Sequence, residues 1–192
     1  MTGVQTCALP IFNDQFLMRG AFIKVKSAID TTEGELKANG VYRAGAGYLI
    51  EDIVIPRKET IDGAEAALKD FKARYPNINM TFLLAPNAGN VLKDKLPATV
   101  RLADQNKSMN SFYENIKAFG INTVDVRNIF KKKKNDVQIY YRTDHHWTSD
   151  GAYLAYRELV PALGIGAPID FRSRIVKNDF AGTKFVDRKS VV

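Results

Sequence analysis

Between Phe16 and Ile29 the apolar residues Phe22, Val25 and Ala28 recur at helical spacing, after which the pattern shortens. Val41-Tyr42 and Tyr48-Leu49-Ile50 are strand-like pieces in a section that Pro56 closes. A helix is predicted next, with Asp62 and Glu65 as a capping-box-like start, Ile61, Ala64, Leu68 and Phe71 on its apolar face, and Pro76 as its stop. Met80 to Leu84 has the length and composition of a buried strand. The following helix carries Met109, Phe112, Tyr113, Ile116 and Phe119, closes at Gly120 and leads to a strand over Thr123-Val124-Asp125-Val126. Val137 to Tyr141 is β-branched and aromatic and is expected to form a strand. Thr148 or Ser149 then caps a helix through Tyr153, Tyr156 and Leu159, with Asp150 in its first turn. Strands alternating with helices predict an α/β fold with a mainly parallel sheet in three layers.

A chain of 192 residues, 45% hydrophobic, suits one domain with a real core, and no apolar stretch approaches the length of a membrane span. The formal charge is +7; Arg188 and Lys189 against Asp187 account for one unit of it, leaving +6 on the rest. A basic surface is compatible with acidic polysaccharide, anionic lipid or nucleic acid. Its densest cluster, Lys131-Lys132-Lys133-Lys134, precedes Asn135-Asp136 and reads as a solvated turn or as a polyanion contact. Without aromatic residues interleaved around it, nucleic acid is disfavoured.

Both histidines and the only tryptophan fall in Tyr140-Tyr141-Arg142-Thr143-Asp144-His145-His146-Trp147-Thr148-Ser149-Asp150. Histidine titrates nearest neutrality, and a carboxylate two residues away can fix its tautomer and stabilise the imidazolium. Between a strand and a helix, this stretch lies where open α/β sheets place their ligands.

Arg142-Thr143-Asp144-His145-His146-Trp147-Thr148 followed by Gly151-Ala152-Tyr153 resembles the signature of the DHHW protein family, which is similar to alginate O-acetylation proteins with an SGNH-hydrolase-like domain. Phe16-Leu17-Met18-Arg19, Asn39-Gly40-Val41-Tyr42, Gly47-Tyr48-Leu49-Ile50 and Leu84-Ala85-Pro86-Asn87 with Lys95-Leu96-Pro97 extend the resemblance in order. It implies a three-layer, flavodoxin-like sheet and acyl transfer by a Ser-His-Asp triad. Asp144 would orient and His146 would act as general base; Tyr141, Arg142, Thr143, His145 and Trp147 would support them or touch substrate. No metal or cofactor is implied. The implied partners are a polysaccharide substrate, an acetyl donor and a membrane-bound O-acyltransferase. The implied setting is extracytoplasmic, the protein being secreted or membrane-anchored through an N-terminal segment missing here. The family's nucleophilic serine lies in a later Asp-Ser-Tyr-like segment, which is not found after the motif, so the chain as it stands is expected to be inactive.

Met1 to Ile11 and Asp187 to Val192 resemble translated sequencing adapter, which leaves residues 12–186 as a partial, C-terminally truncated domain. The single cysteine, Cys7, falls in the first of these segments, so no disulfide framework is expected. Duller or rival readings remain beside each motif. Trp147 is a packing anchor or a substrate platform, and Asn87 is a loop turn or an oxyanion-hole residue. Tyr140 and Tyr141 alternate, so at most one faces the site. Asp144, His145 and His146 are alternatively metal ligands, although adjacent histidines in extended chain diverge. The whole domain is alternatively a non-catalytic carbohydrate-binding or scaffold module of an exopolysaccharide assembly.

Overall fold

The computed structural model describes residues 37–38, 40–172, 174 and 180–184. The helical pattern over Phe16 to Ile29 and the adapter-like ends lie outside them.

Strands β1 (Lys37–Ala38), β2 (Val41–Arg43) and β3 (Leu49–Glu51) form an antiparallel sheet, as the strand-like pieces predict. Tyr42 and Ile50 pair directly across β2 and β3, and both are buried. Helix α1 (Lys58–Arg74) begins one turn earlier than expected. Pro56 and the extended Arg57 set its start, while Asp62 takes the Lys58 ammonium at 2.6 Å and Glu65 takes Asn115 at 3.0 Å. The capping-box residues thus face outward partners rather than the helix end.

Strand β4 (Thr81–Leu83) is followed by short helix α2 (Ala88–Val91), then by α3 (Gln105–Ala118), which leads to β5 (Asn122–Val124). β4 and β5 pair in parallel, Phe82 opposite Thr123, giving the α/β character of the fold. Parallel pairing is confined to these two strands among the described residues. β4 is half-buried rather than buried. α3 buries Met109, Tyr113 and Ile116 as its spacing requires, with Ile121 completing the cluster and Leu68 of α1 against it. Gly120, at φ 78°, turns the chain so that Ile121 N–H reaches Ile116 O at 3.2 Å, a turn that disfavours any side chain. The Tyr113 hydroxyl accepts from Leu84 N–H at 2.9 Å and donates to Val124 O at 2.8 Å, tying the two strand ends together.

Helices α4 (Arg127–Lys133) and α5 (Ser149–Leu163) enclose the larger core with β3 and α2: Ile50, Val91, Leu92, Val126, Phe130, Ile139, Tyr140 and Ala155. The strand expected over Val137 to Tyr141 is absent as such; only Tyr140 pairs, antiparallel with Trp147. The chain reverses within Arg142 to His146, with Tyr141 N–H on His146 O at 3.2 Å and Thr148 N–H on Ile139 O at 2.9 Å. The returning arm is only Trp147 and Thr148 before α5 begins at Ser149, so the pairing cannot extend into a longer strand. No helix among the described residues is long and apolar enough to cross a membrane.

Candidate active site

The reversal is held at its base by packing and at its tip by hydrogen bonds. At the base, Tyr140 is 1% exposed, its hydroxyl donating to Pro86 O at 2.6 Å, and Phe130 meets it and Trp147 edge-on at 6.2 and 5.3 Å. Trp147 is therefore a packing anchor here. Thr148 caps α5, its hydroxyl accepting from Gly151 N–H at 3.1 Å and donating to Gln138 O. Leu49 N–H donates to Arg142 O at 2.7 Å, pinning the loop to β3, while the exposed Arg142 guanidinium lies 5.9 Å over the Tyr48 ring.

Asp144 sits at the tip and is 5% exposed. Its Oδ1 lies 2.5 Å from His146 Nδ1 and accepts His146 N–H at 2.9 Å; its Oδ2 accepts Thr183 N–H at 3.0 Å and the Thr183 hydroxyl at 2.9 Å. Burial alone would push the carboxyl up, but the hydrogen bonds from Thr183 and His146 outweigh it and hold it well below the usual carboxylate range. An ionised carboxylate only accepts, so this contact places a proton on His146 Nδ1, and in the neutral ring that tautomer leaves the lone pair on Nε2. The His146 side chain is 69% exposed, so the ring is open to solvent.

His145 is also exposed, its ring tilted by 37° against that of His146 with centroids 3.9 Å apart, and its Nδ1 is 3.7 Å from Asp144 Oδ1 and 3.9 Å from Glu51 Oε1. The two histidines therefore do not diverge as they would in extended chain, because the loop turns between them. One ligand atom each from Asp144, His145 and His146 fall within 4.8 Å of one another, so these three residues have the spacing to hold a cation. Such an ion would compete with the Nδ1–H that occupies Asp144 Oδ1.

Tyr141 and Thr143 face a segment that sequence reasoning missed. Phe180 packs on Tyr141 at 4.5 Å, Gly182 N–H donates to Thr143 Oγ1 at 3.0 Å, and Thr183 holds Asp144. A Cβ on Gly182 would stand 2.5 Å from Asp144 Cβ and 2.6 Å from Thr143 O, so only glycine admits this approach. Lys184 is 4% exposed, 3.2 Å from Leu49 O and 3.7 Å from Glu51 Oε1; burial pushes its ammonium down, with Glu51 and Asp144 opposing. Nothing in the Ala181-Gly182-Thr183 pattern signals a contact with a motif nearly forty residues away. Asn87 caps α2, its side chain accepting Gly89 N–H at 2.7 Å, which supports its loop role.

Thr183→Ala removes one charge-assisted hydrogen bond and is expected to cost about 1.5–3 kcal/mol. Because the folded-state carboxyl of Asp144 is lowered, its contribution is fully present above the unfolded value of about 3.9 and is lost as pH falls through the folded one. Denaturant titrations should show a constant gap between wild type and variant above about pH 5 that narrows below about pH 4. A gap that does not change with pH would assign Thr183 to packing alone.

Residues 51–169 match the family model described as the SGNH hydrolase-like domain of the acetyltransferase AlgX. No curated protein sequence matches the chain. A DHHW family protein from Eubacterium siraeum is similar in structure, with TM-score 0.62 and 21% identity over 80% of this chain and 52% of that one. PatB1 of Bacillus cereus, solved with a sulfonyl adduct, has TM-score 0.55 and 23% identity over 71% and 47%. The O-acetyltransferase domain of Pseudomonas putida AlgJ has TM-score 0.53 and 20% identity over 66% and 48%. The chain thus spans about half the length of these relatives, and identities this low speak for the fold alone.

Proposed function

This chain belongs to the SGNH-hydrolase-like domain family of the acetyltransferase AlgX, and from that premise we propose that it supplies the acid–base half of an O-acetyl transfer to an extracytoplasmic polysaccharide. The observation that carries this reading is the Asp144–His146 pair, with a buried ionised carboxylate 2.5 Å from Nδ1 and an exposed ring beyond it. Nε2 of such a histidine accepts the proton of a serine hydroxyl as that oxygen attacks the carbonyl carbon of the acetyl donor. The proton then passes to the departing group, leaving acetyl-serine. In the second half a sugar hydroxyl attacks the acetyl carbon, gives its proton to Nε2, and the serine oxygen recovers it. Asp144 holds the imidazolium each time.

Ser108, Ser111 and Ser149 are the described serines, and none hydrogen-bonds to His146. The reading therefore takes the nucleophile from an Asp-Ser-Tyr-like segment C-terminal to the pair, in the longer protein. An acetyl donor and a membrane-bound O-acyltransferase that delivers it outside the cytoplasm complete the scheme.

The 192-residue chain is expected to show no serine-dependent hydrolysis of p-nitrophenyl acetate. A longer chain carrying the Asp-Ser-Tyr segment should turn over, and His146→Ala in it should abolish that turnover. Hydrolysis by the shorter chain that disappears in Ser149→Ala would overturn this placement of the nucleophile.

A further inference from the structure

Helix α5 begins three residues after His146, and its first two turns carry a cluster of rings that the acid–base chemistry leaves unused. Tyr153 and Tyr156 stand nearly parallel, at 23° with centroids 6.0 Å apart. Phe171 crosses Tyr153 at 80° and 5.8 Å and Tyr156 at 57° and 6.0 Å, yet remains 63% exposed. The corner is rigid because both phenols are tied to the chain that carries Phe171: Ile169 N–H donates to Tyr156 Oη at 3.0 Å, and Tyr153 Oη donates to Asp170 Oδ1 at 2.9 Å. The rings line a cleft of about 470 Å³ whose lining also includes the polar residues Ser149, Asp150 and Arg172.

We propose that this cleft is an acceptor subsite that seats one pyranose ring of a polysaccharide, an inference that rests on the acetyl-transfer reading above. A pyranose presents an apolar C–H face and a rim of hydroxyls, and the cleft offers the complement of both: fixed aromatic faces, with a donor and acceptors at the edge. An acyl chain would need apolar walls without that rim. The place is also right. Three trans peptide steps keep Ser149 Cα within about 11 Å of His146 Cα, which puts the edge of the cleft beside the loop that carries the base.

The test uses the 192-residue chain with two probes, an unacetylated alginate hexasaccharide and chitohexaose, followed by NMR titration. The wild type is expected to bind at least one, with the ring protons of Tyr153 and Tyr156 among the resonances that shift. Phe171→Ala should weaken that binding about tenfold, while Phe71→Ala, an exposed ring on α1, should leave it unchanged. Binding that shifts other resonances and is equal in wild type and Phe171→Ala would overturn the cleft and leave the polysaccharide reading standing. A wild type that binds neither probe would overturn the cleft and count against a polysaccharide acceptor as well.

Discussion

Gly151→Ala is expected to lower the unfolding midpoint, against the usual sign for replacing a helical glycine. Alanine in an open helical position gains up to about 1 kcal/mol. At Gly151, however, a Cβ would press into the carbonyl oxygen of Ile139, with the Ile139 carbonyl carbon at 3.1 Å and its Cγ2 also at 3.1 Å. That carbonyl accepts Thr148 N–H and belongs to the base of the Asp144–His146 loop, so it cannot retreat without undoing the cap of α5. Overpacking of about 1–3 kcal/mol exceeds the propensity gain by up to about 2 kcal/mol, and in a domain of this size the midpoint should fall by up to about 8 °C. Gly63, inside α1, is the control: nothing lies within 4 Å of a Cβ there, so Gly63→Ala should raise the midpoint by about 2–4 °C. Two glycine-to-alanine changes in helices of one protein would then move stability in opposite directions. A rise in Gly151→Ala would mean that α5 is free to move away from Ile139.

The pattern of apolar residues located most helices and the parallel pair because each of these elements turns apolar residues toward a neighbour, fully in α3 and only in part in α1, where Leu68 is half-buried and Phe71 stays exposed. The α3 stripe of Met109, Tyr113 and Ile116 is legible for that reason, and so is the Thr148 cap, whose chemistry is local. The strand expected over Val137 to Tyr141 shows the limit of such reasoning. Ile139 and Tyr140 are β-formers, both about 1% exposed, but burial on a reversal looks the same in sequence as burial in a sheet. The pair Asp144 and His146 was legible because its two members are two residues apart. Thr183, Gly182 and Lys184 were not, because their roles exist only once the chain has returned to the loop, and neither periodicity nor composition marks a long-range hydrogen bond. Glu51 was hidden in the same way: at the end of a strand it looks like an ordinary exposed position, yet it faces both Lys184 and His145. The site thus has a local half that sequence reveals and a tertiary half that fixes its electrostatics.

Asp144→Asn is expected to have the largest effect on the proposed chemistry, because every group that faces this carboxylate is a donor. Oδ1 meets His146 N–H and Nδ1–H, and Oδ2 meets Thr183 N–H and its hydroxyl. Asparagine must turn its NH2 toward one set or the other. Turned toward Thr183 it opposes a backbone N–H that cannot rotate; turned toward His146 it opposes another and can bond only a ring nitrogen that has lost its proton. In the second arrangement the imidazole shifts to the Nε2–H tautomer, which is no base toward a serine. Nitrogen-15 NMR on the 192-residue chain, which needs no turnover, should show neutral His146 protonated on Nδ1 in the wild type and substantially on Nε2 in Asp144→Asn. In a longer chain that carries the nucleophile, acetyl transfer should fall by roughly 10⁴-fold, the size of effect that a misoriented triad histidine produces. If the tautomer and the rate both survive the substitution, the short Asp144–His146 contact only shapes the loop, and the base of this reaction must be sought elsewhere.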